Sequence, residues 1–236
     1  ERDLFRGSFR FDTGRMRELL VLGFPAASQI LIEISIFAIA AMLIGRLEPV
    51  QLAAHQVALN LCSLTFMVPL GLSAAAAVRV GQAVGRGDPE GAARAGWMAL
   101  GFGATFMFCA ALAFWIIPGV LTRAYTPDAR VIETSTAILF VAGFFQLFDS
   151  SQIVVTGALR GLGNTHTPLL VHLCGYWAIG LPLGYVLCFR YGWGAVGMWV
   201  GLSTALILIG FVLLLAWRHA IHKFAVTSRR ETIVIP

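Results

Sequence analysis

Residues 49–78 read PVQLAAHQVALNLCSLTFMVPLGLSAAAAV, a run of 30 residues without a single charged side chain. A helix rises 1.5 Å per residue, so about 20 apolar residues cross a hydrocarbon core about 30 Å thick. This stretch is therefore long enough to span a membrane as a tilted helix. Its polar and apolar residues do not alternate, which excludes a strand of a transmembrane barrel.

The rest of the chain repeats this pattern. Five more windows of 26 to 29 residues, bounded by charged residues, contain no charge or a single acid. The six windows predict an all-α integral membrane protein with six transmembrane helices, at about residues 19–45, 50–78, 95–120, 132–158, 167–190 and 192–217. Only 12% of the residues are charged, against about 25% in a soluble domain. A soluble enzyme, a disordered chain and a disulfide scaffold are excluded.

Basic residues are divided unevenly between the two ends of these helices. One side carries 13 Lys and Arg, whereas the other carries only Arg46, Arg123, Arg130 and Arg190. By the positive-inside rule, both termini of this multi-pass protein are expected on the cytoplasmic side of the inner membrane. We expect residues 1–17 to be an interfacial linker, 18–218 the six-helix unit and 219–236 a basic cytoplasmic tail. The net charge of +5 then needs no nucleic-acid partner.

Two carboxylates lie near the middle of apolar windows. Glu33 is the fifteenth of 27 residues in its window, and Asp149 is the sixteenth of 26. An acid at that depth costs about 2.5–3.5 kcal/mol on insertion scales, so it normally faces a polar cavity or a partner, or is protonated. Because no Lys or Arg lies within the six windows, we favour a hydrated cation-binding pair over two neutral acids that only pack helices.

Polar side chains recur one helical turn away from each acid, and a polar stripe runs along the second window. Such a stripe alone more often indicates hydrogen bonds between helices. Combined with two acids, it predicts the lining of a cation cavity. The candidate lining residues are Gln29, Gln56, Asn60, Phe66, Gln146 and Gln152.

Motifs of other functional classes lack their structural context. The loop 85–91 (GRGDPEG) contains a Gly-x-Gly pattern, but it follows a transmembrane helix rather than a strand. His166 and His172 have no acidic or thiol partner at ligand spacing, so no metal is expected beyond a Na⁺ ion at Glu33 and Asp149. We recognise no catalytic motif in the sequence. We therefore expect neither an enzyme nor a cofactor, but only a coupling ion, Na⁺ or H⁺, that binds the two acids in exchange for a cationic substrate.

Three segments, taken in order, resemble the multidrug and toxic compound extrusion (MATE) transporters, and their NorM-like branch in particular. Residues 22–39 (LGFPAASQILIEISIFAI) look like the seventh helix of that family. Residues 53–88, which begin AAHQVALNLCSLTFMVPL, look like its eighth helix and the following loop. Residues 144–168 (FFQLFDSSQIVVTGALRGLGNTHTP) look like its tenth helix and the loop after it.

The resemblance implies a twelve-helix fold of two six-helix lobes, of which this chain is the C-terminal one. The N-terminal lobe of the same transporter would then be a partner, beside membrane lipid and the substrate. Glu33 and Asp149 match the two acids of the family's C-terminal cation site. Phe66 stands near a position that is often tyrosine in the family, so a cation–π contact is kept while a hydroxyl contact is lost.

By the same resemblance, the expected function is export of organic cations such as drugs and toxic compounds, in exchange for Na⁺ or H⁺. The expected mechanism is alternating access of the two lobes. One alternative is a flippase of lipid-linked precursors from the same superfamily, which should carry cationic grooves for pyrophosphate. A membrane subunit that does not transport is another.

Overall fold

The computed structural model describes residues 13–234 as a bundle of six long helices. Between the third and fourth of these lies one short helix, Pro118–Arg123. From first to sixth, the long helices are Thr13–Ile44, Pro49–Gly85, Pro89–Ile116, Ala129–Gly161, His166–Arg190 and Gly194–Val234. Each contains a segment long and apolar enough to cross a membrane, which confirms the predicted class of six-helix membrane protein. Most of the predicted interfacial segment, residues 1–12, lies outside the described residues, as do Ile235 and Pro236.

Proline and capping residues determine where several helices begin. Pro49, Pro89 and Pro118 occupy the first turns of their helices, where a missing N–H leaves no helical hydrogen bond unmade. Asp88 caps the third helix by accepting the Gly91 N–H at 2.7 Å. This helix therefore starts several residues before the apolar window from which we predicted it, since its first turns lie among charged residues.

The fourth helix lies at the centre of the bundle and packs on the second, third and sixth. Its closest approach is to the second helix, where a Cβ atom on Gly157 would lie 2.2 Å from the Ser73 carbonyl oxygen. At the same crossing the Ser73 hydroxyl donates to the carbonyl of Ile153 at 2.7 Å. Small residues let the two backbones meet, as is common between membrane helices.

The fifth helix is irregular along most of its length. Its first turns, His166–His172, are α-helical, but Leu173–Gly180 and Val186–Arg190 are π-helical. It packs on the sixth helix through glycines, because a Cβ atom on Gly201 would lie 2.2 Å from the Gly184 backbone nitrogen. π-Helical turns are rare and often occur at functional sites.

The sixth helix continues past the apolar segment into the predicted basic tail. It remains helical to Val234, and the Ser228 hydroxyl donates to the Gly87 carbonyl at 3.3 Å. The far end of this helix therefore lies against the connection between the second and third helices. The first helix, in contrast, packs mainly on the fifth. It stands apart from the second helix and leaves a cavity beside the fourth.

Candidate cation-binding site

The two intramembrane acids meet at one glutamine side chain. The Gln152 Nε2 atom lies 3.3 Å from Glu33 Oε1 and 3.2 Å from Asp149 Oδ1. Glu33 is on the first helix and is partly buried, whereas Asp149, on the fourth, is buried. Gln29, one turn before Glu33, places its Nε2 atom 3.2 Å from Glu33 Oε2. Each oxygen of Glu33 thus has an amide donor.

A cavity of about 640 Å³ opens in front of the acids, between the first, second, fourth and sixth helices. Glu33 and Asp149 both line it, and none of the described lining residues is Lys or Arg. The two carboxyl groups therefore set the charge of the cavity. Its volume and mostly apolar walls suit a drug-sized ligand, which the polar groups would orient.

Aromatic rings make up much of the remaining wall. Phe145 and Trp199 stack with ring centroids 5.7 Å apart and an interplanar angle of 28°. Phe37 and Phe66 also line the cavity. A ring face attracts a cation within about 6 Å of its centroid, by about 0.5–2 kcal/mol. Acids and ring faces together form a surface that complements an organic cation.

The predicted lining residues divide into three groups by position. Gln56 and Phe66 line the cavity itself. Gln29 and Gln152 bind the acids without being part of the cavity wall. The remaining two, Asn60 and Gln146, do neither.

Asn60 and Gln146 make hydrogen bonds that belong to the helices. The exposed Asn60 side chain donates to the Gln56 carbonyl, one turn back, at 2.8 Å. Gln146 is buried and donates from its Nε2 atom to the Thr65 hydroxyl at 2.9 Å, which ties the fourth helix to the second. This second bond is the interhelical role that a polar stripe in a membrane most often has.

Two residues of the fifth helix join the site that our sequence analysis did not assign to it. His172 is fully buried, with Nδ1 2.7 Å from the Pro168 carbonyl oxygen and Nε2 in contact with the Gln152 amide oxygen. Tyr176, also fully buried, places its ring centroid 6.0 Å from that of His172. The sequence spacing contains no sign that His172 on the fifth helix meets Gln152 on the fourth, and a lone histidine has no metal-site pattern.

This bundle of six apolar helices defines a class, the multi-pass membrane proteins, and the comparisons identify its family. The chain belongs to the MatE family, whose model matches residues 25–186. The resemblance of the sequence to MATE transporters is thereby confirmed.

The curated relatives are about twice as long as this chain. A probable multidrug resistance protein NorM from Mesorhizobium japonicum is 43% identical over 219 residues, which cover 91% of this chain and 47% of the relative. A probable multidrug resistance protein NorM from Brucella suis is 42% identical over 231 residues, covering 95% and 49%. The chain therefore spans about half the length of these proteins.

Solved structures agree on the fold. The eukaryotic MATE transporter AtDTX14 superposes with a TM-score of 0.84 at 22% identity, covering 94% of this chain and 52% of that one. The Vibrio cholerae MATE transporter VcmN in its bent form superposes with a TM-score of 0.82 at 15% identity, covering 93% and 50%. The six helices thus have the architecture of one half of a MATE transporter.

Proposed function

We propose that this chain is the C-terminal lobe of a secondary antiporter that exports organic cations across the inner membrane in exchange for Na⁺ or H⁺. The observation that carries the proposal is the convergence of Glu33 and Asp149 on Gln152 at the wall of an aromatic cavity. The names of the NorM relatives refer to multidrug resistance, which supports drug export as the activity.

The mechanism follows from competition for one charged site. With both acids ionised, the cavity wall carries two negative charges that attract an organic cation, and the ring faces add to its binding. Na⁺ or H⁺ at the acids cancels that charge and releases the organic cation. The coupling is reciprocal, because each ligand lowers the affinity for the other by the same factor.

Transport also requires that the cavity open to one side of the membrane at a time. In a two-lobe carrier this occurs by rocking of one lobe against the other about a central site. The four helices enclose this cavity only partly, and a second lobe would complete its wall. The N-terminal lobe is therefore the partner that completes the transport route, and neither a nucleic acid nor an organic cofactor has a role in it.

The decisive experiment is gradient-driven transport in everted membrane vesicles. The native gene, including any sequence upstream of Glu1, is expressed in an efflux-deficient bacterium, and a fluorescent organic cation is followed after an imposed Na⁺ or pH gradient. We expect at least one gradient to drive the dye, and Glu33→Gln to reduce the initial rate at least about tenfold by removing the exchangeable charge.

The matched control is Glu48→Gln, which removes the same charge from an exposed position between the first and second helices. It should transport as the unaltered protein does, and both variants should be present in the membrane at equal amounts. Normal dye export by Glu33→Gln would overturn the assignment of the site. If neither gradient moves the dye in the unaltered protein, the antiporter proposal fails and a flippase becomes the leading function.

A further inference from the structure

His172 is held in a position where one of its ring nitrogens has a fixed role. The Nδ1 atom lies 2.7 Å from the Pro168 carbonyl oxygen, which can only accept a hydrogen bond. Nδ1 therefore carries a hydrogen and donates it. A neutral imidazole has a single N–H, so the Nε2 atom of a neutral ring is left as an acceptor.

The acceptor at Nε2 faces the amide of Gln152. In the structure this amide presents its nitrogen to Glu33 and Asp149 and its oxygen to the ring. With a neutral ring, two lone pairs are then in contact in a site that excludes water, since both side chains are fully buried. A buried acceptor without a donor is unfavourable.

Reversing the amide removes this conflict. The Gln152 NH₂ group then donates to His172, and its carbonyl oxygen faces the two acids in place of the nitrogen. The two ends of an amide have nearly the same shape, so the surrounding side chains accept either orientation. The reversed amide adds a third oxygen to the carboxylates of Glu33 and Asp149, which favours a bound Na⁺ ion or a proton between them.

We propose that His172 is a positioning residue that turns the carbonyl oxygen of Gln152 toward Glu33 and Asp149, and so makes Gln152 a third oxygen ligand of the coupling cation. This inference rests on the proposed antiport function, and it assigns a role to the fifth helix. Without His172, the amide keeps its NH₂ group on the carboxylates, and that arrangement stabilises the empty, ionised pair.

The His172 ring then contributes to binding of the coupling ion but not to binding of the organic cation. Losing a residue that orients a ligand typically costs 10- to 100-fold in ion affinity. We therefore expect His172→Leu to lower the affinity for the coupling ion by about 10- to 100-fold. Binding of the organic cation in the absence of that ion should be unchanged, because its attraction to the ionised carboxylates remains.

The test measures both ligands on the purified native gene product. A fluorescent organic cation is bound without coupling ion, and then displaced by titrating Na⁺ at constant pH or acid at constant Na⁺, according to which ion drives transport. His172→Leu should need a higher ion concentration for half-displacement, at unchanged dye affinity. His172→Gln, which keeps an acceptor near the Nε2 position, should recover most of the lost ion affinity.

The control for removing an imidazole from this helix is His166→Leu, since His166 is exposed on the first turn. It should match the unaltered protein. A double-mutant cycle with Gln152→Met separates positioning from general packing, because removing both partners should cost no more than removing Gln152 alone. Additive losses, or equal losses of ion and dye affinity, would overturn the proposal.

Failure of this inference is distinguishable from failure of the proposed function. If Glu33→Gln abolishes ion displacement while His172→Leu behaves as the unaltered protein, only the role of His172 is wrong. If Glu33→Gln leaves displacement intact, the cation site itself is misassigned and the role of His172 falls with it. Should His172→Leu not fold, the His172→Gln and Gln152→Met variants decide between these outcomes.

Discussion

At the scale of single residues, the sequence predicts the charged part of the candidate site and misses the rest. Glu33 and Asp149 stand out in the sequence because a carboxylate is costly amid apolar residues of a membrane helix. His172 does not stand out, because its contact with Gln152 exists only once the chain has folded. The same holds for Trp199, one aromatic residue among many until the fold places it in the cavity wall.

Phe66 offers a residue-scale prediction about substrate affinity. Replacing it with Leu keeps an apolar side chain in the wall but removes the ring face. We expect the affinity for an organic cation to fall by about two- to fivefold, which corresponds to about 0.5–1 kcal/mol for a cation–π contact. Dye-binding titrations measure it, with Phe108→Leu on the exposed surface of the third helix as the control. An unchanged affinity would place the bound cation away from this ring.

Trp199 offers a second residue-scale prediction, which concerns the stability of the fold. Its indole N–H donates to His55 Nδ1 at 3.0 Å, and both side chains are buried. Trp199→Phe leaves that acceptor unsatisfied, so we expect a loss of about 1–3 kcal/mol in the free energy of unfolding. Thermal unfolding in detergent checks this against Trp193→Phe, an exposed tryptophan just before the same helix. Equal melting temperatures for the two variants would contradict it.

At the scale of helices, charge windows predicted that six helices exist better than where they end. A window stops at the first charged residue, but Pro89 and Asp88 begin the third helix among charges through capping chemistry. The π-helical turns of the fifth helix have no signature in the sequence pattern. They occur where this helix packs on the sixth, with Gly180 and Gly184 at the contact. The π-helical turns therefore depend on packing, whereas the start of the third helix depends on local capping.

The crossing of the second and fourth helices makes a prediction at this scale. Gly157→Ala would place a methyl group 2.2 Å from the Ser73 carbonyl oxygen, so we expect a destabilisation of about 1–3 kcal/mol from overpacking. Gly101→Ala is the matched control, because nothing lies within 4 Å of its added methyl group. Alanine in a helix interior is otherwise favoured over glycine, so the control should be neutral or stabilising. Equivalent behaviour of the two variants in unfolding experiments would refute the close crossing.

For the whole molecule, the arrangement in the membrane is the property to test. The positive-inside rule places the connection between the second and third helices in the cytoplasm and the segment before the fourth helix outside. A membrane-impermeant maleimide should therefore label Ala124→Cys in intact cells, and Glu90→Cys only after permeabilisation. Both positions are exposed, and the unaltered protein measures the background from its own cysteines. The opposite labelling pattern would invert the proposed orientation.

The tight crossing at Gly157 also limits how this lobe can deform. The second and fourth helices share a backbone contact and the Ser73 hydrogen bond, so sliding one past the other would break both. This helix pair therefore moves as one body, and it carries Asp149 and Gln152. Glu33 and His172 belong to the first and fifth helices, which pack on each other. A shift of the first and fifth helices relative to this pair would stretch the contacts that Glu33 and His172 make with Gln152.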